Sequence, residues 1–216
     1  MARIWVTIGW CVAALLPPLA LGVSTSRQEL IEALHSTPSL DRGAELFDTC
    51  AACHGASGAG TRDGAVPRIA GQPVAVIWKQ LVECRYDQRW NQRMQHFTDQ
   101  HHLADAQSLA DVAAYINKLQ IHTAPGVGSG DALDKGAAVF AQQCLSCHRR
   151  SGEGNQKNQI PQLAGQHYEY LVRQMHDAIE GRRPDFSAQH VRLLARLQSD
   201  DTKAVADYLS RVAEPE

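Results

Sequence analysis

Two short segments of the chain place a pair of cysteines directly before a histidine. The first segment contains Cys50, Cys53 and His54, and the second contains Cys144, Cys147 and His148. Two thiols at this spacing on a helical turn can form thioethers with the two vinyl groups of one haem, and the adjacent histidine then projects toward the iron as proximal ligand. The motifs therefore predict two covalently attached haem c groups.

Other chemistries use cysteine pairs at the same spacing, but they fit this sequence less well. A thioredoxin-like redox pair needs a βαβ context, which the pattern lacks. A zinc site needs four ligands, and each motif supplies three. Paired cysteines in a secreted chain could form disulfides, but the histidine after each pair favours haem. Of the other two cysteines, Cys11 lies near the N-terminus and Cys84 is left over.

The chain repeats itself, with the two haem motifs 94 positions apart. The segments that match across the repeat are 66–72 with 160–166, 41–44 with 134–137, and 113–116 with 206–209. The last two pairs are offset by 93 positions, so single-residue insertions or deletions separate the copies. These matches indicate a duplicated domain.

Each copy reads as three main helices, because its apolar residues recur at helical spacing and no run reads as a pair of strands. The predicted helices lie near 41–52, 73–85 and 106–119 in the first copy, and near 134–146, 167–180 and 200–212 in the second. We therefore expect an all-α protein with domains over 41–121 and 134–216. A Gly/Pro-rich linker over 122–133 joins them. An N-terminal extension over 23–40 is expected to hold a further helix near 24–38.

The N-terminus reads as a secretion signal. Arg3 precedes an uncharged apolar stretch over 4–22, and small residues at its end make cleavage after Gly22 plausible. An uncleaved membrane anchor is the alternative, but the Pro17-Pro18 pair would break a spanning helix near its end. We expect residues 1–22 to be removed and the protein to be periplasmic, with membrane contact only if the segment stays attached.

The composition excludes a nucleic-acid partner. The formal charge is −2 and the apolar content is 44%, so the chain can build a globular core but has no basic footprint. Aromatic residues make up only 6%, and a bound porphyrin would supply the missing apolar bulk.

These motifs together resemble the dihaem class I cytochromes c, most closely the cytochrome c4 family. The features that carry the resemblance are the first haem motif with Gly55, the segments 67–72 and 161–166, the helices containing 79–81 and 173–175, and the closing helices with Tyr115 and Tyr208. The resemblance covers about 40–212. It implies two cytochrome c folds that each wrap around a haem, with the carbonyl of Pro67 holding the ring of His54 and that of Pro161 holding His148.

The second axial ligand is where the sequence departs from the resemblance, which implies a distal methionine on each iron. Only Met94 lies near such a position in the first copy, and the second copy has none well placed. His96 follows His54 by 42 positions and His190 follows His148 by the same 42. We therefore predict two bis-histidine haems, with Met94 as the alternative to His96.

Six-coordinate irons of this kind favour outer-sphere transfer of single electrons between redox proteins rather than catalysis. Histidine in place of methionine predicts a lower potential than in methionine-ligated relatives. Expected partners are a redox donor and acceptor, such as a dehydrogenase or a terminal oxidase. The alternatives are a haem enzyme, such as a thiosulfate dehydrogenase or a peroxidase, and the electron-transfer subunit of one. Cys84 matches Ala178 in the repeat, which favours core packing over chemistry.

Overall fold

The computed structural model describes residues 18–213, which form α-helices joined by loops. The N-terminal helix is α1 (Pro18–His35) and the first domain contains α2 (Leu40–His54), α3 (Val74–Arg85), α4 (Gln92–Phe97) and α5 (Ala106–Lys118). The second domain contains α6 (Leu133–Val139), α7 (Leu145–His148), α8 (Tyr168–Ile179), α9 (Ala188–Leu194) and α10 (Ser199–Arg211), with a π-helical turn (Phe140–Cys144) between α6 and α7. No strand occurs in these residues, where the only ladder contact is an isolated bridge between Asn155 and Ile160.

The expected all-α architecture is confirmed, and all six predicted main helices are present within two residues of their expected bounds. One of them, the helix near 134–146, is not continuous, because the π-helical turn divides it. The sequence missed the short helices α4 and α9, which are only six and seven residues long. Such lengths give too few turns for a periodic pattern to stand out.

The same helix crossing builds both domains. A Cβ added at Gly43 on α2 would collide with the backbone of Asp111 on α5, and one added at Gly136 on α6 would collide with the backbone of Ala204 on α10. Glycine at these two equivalent positions lets the first and last helices of each domain approach closely. The crossing places the haem motif, at the C-terminal end of the first helix, against the core.

The π-helical turn accounts for the first of the two changes of offset in the repeat, from 93 to 94. Phe47 packs on Tyr115 with ring centroids 5.4 Å apart, and Phe140 packs on Tyr208 at 5.9 Å. Both pairs are offset by 93 positions, whereas the haem motifs are offset by 94. The inserted residue therefore lies within Phe140–Cys144, where a wider helical turn absorbs it without changing the positions of the flanking residues.

The N-terminal helix α1 packs on the first domain against α3 and α5. Ala33 is fully buried in that core, and Glu29 forms a buried ion pair with Arg85. The helix confirms the expected one near 24–38 but begins six residues earlier. Most of the predicted signal peptide, residues 1–17, lies outside the described residues. Within residues 18–213, no helix combines the length and the apolar character needed to cross a bilayer.

Candidate functional site

The first haem motif occupies the last turn of α2. Helix α2 ends at His54, and Gly55 follows with a φ of 75° that turns the chain away. Nδ1 of His54 lies 3.0 Å from the carbonyl oxygen of Pro67. Because a carbonyl oxygen only accepts hydrogen bonds, Nδ1 carries the proton and Nε2 keeps a lone pair for a metal.

The second motif repeats this geometry. Nδ1 of His148 lies 3.0 Å from the carbonyl oxygen of Pro161. Burial lowers the pKa of His148 to about 4, and burial also lowers the pKa of His54. Both rings are therefore neutral at ordinary pH, which is the form that ligates iron.

All five cysteines between residues 18 and 213 are free thiols, so the pairs are not closed as disulfides. Burial raises the pKa of Cys50 and of Cys144 to about 11. Cys147, by contrast, is exposed. Two free thiols and a neutral imidazole at the end of one helix are the donor set that covalent haem attachment requires.

The distal side of the second site is built by His190 on α9. The rings of His148 and His190 have centroids 6.3 Å apart and planes inclined by 50°. A metal bound by one nitrogen of each ring, with bonds of about 2 Å, separates the two centroids by about 6 Å. Phe186 stacks on the His190 ring at 4.7 Å and fixes its orientation. The residues present therefore fit a six-coordinate haem iron.

The distal side of the first site differs. The side chain of His96 is 65% exposed, and its Nδ1 lies 3.8 Å from Asp99. Its ring packs edge-on against His102, with centroids 4.8 Å apart. Met94, two residues earlier on α4, is half-buried and packs against the core of the first domain, as Cys50 does. His96 is thus turned toward Asp99 and His102 at the surface, whereas Met94 faces the core of the first domain.

Cys84, the cysteine left over in the sequence, lies in the core of the first domain. Cys84 is 3% exposed on α3, and its repeat counterpart Ala178 is 1% exposed on α8, so Cys84 packs in the interior as expected. Burial raises the pKa of Cys84 to about 11, which keeps the thiol protonated.

His167, the residue before α8, is almost fully buried, with 2% of its surface exposed. Its Nε2 lies 2.8 Å from the carbonyl of Ala59 in the first domain, and its Nδ1 accepts a hydrogen bond from the backbone N–H of Gly126 in the linker at 3.0 Å. His167 therefore joins the linker, the first domain and the start of α8. Its repeat counterpart is Pro73, so the repeat offered no signal for this role.

Two helical domains, each with a thiol pair and a histidine oriented by a proline carbonyl, define a dihaem c-type cytochrome. The cytochrome c family model matches residues 40–120 and again 133–213. Cytochrome c4 of Pseudomonas aeruginosa is 30% identical over 183 residues, which cover 81% of this chain and 89% of that protein. The thiosulfate dehydrogenase electron acceptor of Stutzerimonas stutzeri is 32% identical over 180 residues, covering 77% and 80%.

The fold agrees with a solved structure. The crystal structure of reduced recombinant cytochrome c4 from Pseudomonas stutzeri matches with a TM-score of 0.71 and 25% identity, over 82% of this chain and 100% of that chain. The chain belongs to the cytochrome c family, within its cytochrome c4-like dihaem members. It is a dihaem electron carrier with two covalently bound haem c groups.

Proposed function

We propose that this chain is a periplasmic one-electron carrier whose two haems differ in axial ligation. His54 and Met94 would hold the first iron, and His148 and His190 would hold the second. The observation that carries the proposal is the pair of facing rings, His148 and His190, whose 6.3 Å separation suits one shared iron. Protein ligands on both faces leave no position for a substrate, which favours outer-sphere transfer over catalysis.

The bound iron supplies the redox chemistry by alternating between Fe²⁺ and Fe³⁺. The protein sets its properties through the axial ligands. The imidazole of His190 favours the ferric state, whereas the thioether of Met94 favours the ferrous state. The second site is therefore expected to have the lower potential, and electrons pass downhill from the second domain to the first. The lower potential predicted from the sequence would then apply to the second haem.

The proximal side is prepared in the same way in both domains. The carbonyls of Pro67 and Pro161 fix the tautomer and ring plane of His54 and His148, and each hydrogen bond makes the ligating nitrogen more basic. Oriented, neutral ligands reduce the rearrangement that accompanies each change of oxidation state.

The electron donor is proposed to be a dehydrogenase for a small sulfur substrate, and the acceptor a terminal oxidase. The support is the likeness to the thiosulfate dehydrogenase electron acceptor, which extends over 77% of this chain. In this proposal the chain acts as the acceptor subunit or partner, and the dehydrogenase performs the substrate chemistry. A periplasmic location agrees with the predicted secretion signal and with covalent haem attachment.

Axial ligation decides the proposal. Low-temperature electron paramagnetic resonance of the oxidised protein should show two different low-spin haems, and the reduced wild type should not bind carbon monoxide. His190→Ala should let only the second haem bind carbon monoxide. His176→Ala is the matched control, because the His176 side chain is 65% exposed on α8 and contacts Glu180 rather than a haem ligand. Carbon monoxide binding by the wild type would contradict the proposal and support a haem enzyme.

The donor is tested separately by mixing. Thiosulfate alone should leave the haems of this chain oxidised. Addition of a purified thiosulfate-oxidising dehydrogenase should reduce them, which the absorption spectrum follows. Reduction by thiosulfate without the dehydrogenase would show that the chain is itself an enzyme.

A further inference from the structure

Two glutamines bind the main chain of the opposite domain in a reciprocal arrangement. Oε1 of Gln166 accepts from the N–H of Arg68 at 3.0 Å, and its Nε2 donates to the carbonyl of Arg68 at 2.8 Å. Oε1 of Gln72 accepts from the N–H of Gln162 at 3.1 Å, and its Nε2 donates to the carbonyl of Gln162 at 2.8 Å. The four bonds are called the glutamine clamp below.

The two halves of the clamp are related by the sequence repeat. Gln72 and Gln166 are 94 positions apart, as are the residues that they bind, Arg68 and Gln162. Each domain thus gives one glutamine and receives one, which is what a pseudo-twofold relation between the domains produces.

The clamp acts on the peptide units that orient the haem ligands. The N–H of Arg68 belongs to the same peptide unit as the Pro67 carbonyl, which accepts from His54. The N–H of Gln162 shares its peptide unit with the Pro161 carbonyl, which accepts from His148. Each glutamine therefore fixes, from the opposite domain, the peptide that sets the proximal histidine.

The burial of the clamp makes it stiff. Gln166, Arg68 and Gln162 are 5%, 7% and 8% exposed. Buried amide-to-peptide hydrogen bonds are strong in a low dielectric and costly to leave unmade, so the two sides resist sliding past each other. Oε1 of Gln166 also accepts from the N–H of His167 at 3.0 Å, which ties the clamp to the start of α8.

We infer that Gln72 and Gln166 are positioning residues for electron exchange between the two haems. In this step one ferrous iron is oxidised and the other, ferric, iron is reduced, with no bond formed or broken and no proton required. The rate of such a step falls steeply as the separation grows, so a joint that fixes the two ligand peptides relative to each other sets that rate. The inference rests on the proposed transfer between two unlike haems.

The test uses the full-length protein with both haems attached. The variants are Gln72→Ala, Gln166→Ala and the double variant. Gln156→Ala is the matched control. Oε1 of Gln156 also accepts across the interface, from the N–H of Ala75 at 3.1 Å, but this bond is not one of the four in the glutamine clamp. Pulse radiolysis adds one electron and follows its redistribution between the haems, and a redox titration gives the two potentials.

Each clamp variant should slow the redistribution severalfold, because electron transfer slows exponentially as the two haems move apart. The absorption spectra, which report ligation, should stay as in the wild type, and Gln156→Ala should keep the wild-type rate. Unchanged rates in the double variant, or an equal slowing in Gln156→Ala, would overturn the inference.

A second variant guards against simple misfolding. Gln166→Glu keeps the acceptor for the Arg68 N–H but replaces the donor with an oxygen that faces the Arg68 carbonyl. It should slow the exchange, and a wild-type rate in this variant would also overturn the inference. A wild type that lacks two six-coordinate haems would instead contradict the proposed function.

Discussion

His148 and His190 face each other across 6.3 Å, whereas the equivalent His96 in the first domain is turned toward Asp99 and is 65% exposed. The same 42-residue spacing thus produces two different distal arrangements. The difference lies in the short helices α4 and α9, whose orientation decides which side chain faces the core. The unequal ligands proposed above would give the molecule a direction for electron flow that identical ligands would not.

The first site can be assigned by a pair of substitutions. Met94→Leu should remove the weak far-red sulfur-to-iron band of the oxidised protein, because it removes the thioether. His96→Ala should leave that band and the first haem's potential unchanged. The measurement is the absorption spectrum of each purified variant. The reverse pattern would show that both haems are bis-histidine, as the repeat spacing predicts.

Arg149 occupies a backbone conformation that suits glycine. It follows His148 with φ 65° and ψ −178°, and its counterpart Gly55 has φ 75°. A side chain in this region costs on the order of 1–3 kcal/mol. Arg149→Gly should therefore stabilise the second domain by about 1 kcal/mol, which raises Tm by about 2–4 °C. Arg150→Gly, the exposed neighbour without positive φ, should bring no gain, and calorimetry compares the two.

The stability of the domain interface should depend on pH through His167. Burial lowers its pKa from the ordinary 6.5, so below pH 6.5 the unfolded chain takes up a proton that the folded chain resists. The stability contribution is full above pH 6.5 and is lost as the pH falls through the lowered folded value. Denaturant unfolding at several pH values should show the free energy of unfolding falling as the pH is lowered below 6.5.

The slope can be traced to this histidine by substitution. His167→Gln should flatten the loss of stability below pH 6.5, because the glutamine amide does not titrate there. His176→Gln, at an exposed histidine on α8, is the matched control. An unchanged slope in His167→Gln would refute the assignment.

Cys84 is expected to be dispensable. It is buried on α3 where the second domain has Ala178, so Cys84→Ala should fold, carry both haems and keep its spectrum, with a loss of about 1 kcal/mol. The reciprocal Ala178→Cys tests the equivalence of the two positions. A changed spectrum or altered electron transfer in Cys84→Ala would instead give the thiol a chemical role.

Much of the fold was accessible from the sequence because its signals are local or periodic. Covalent haem attachment needs only residues that are close together in sequence, so Cys50, Cys53 and His54 predict it without knowledge of the tertiary structure. The main helices follow from apolar periodicity, and the duplication follows from matched segments. The sequence also shows that single-residue insertions or deletions separate the two copies, but not that one of them is absorbed by a π-helical turn at Phe140–Cys144.

The distal ligands and the interface were decided only by the tertiary structure. A spacing of 42 residues names His96 and His190 as equals, but whether a ring faces the iron depends on how a helix of six or seven residues rotates against its core. The glutamine clamp joins residues 90 or more positions apart. His167 joins the linker at Gly126 to Ala59 in the first domain. No periodicity records such contacts, because they depend on how the two completed domains pack against each other.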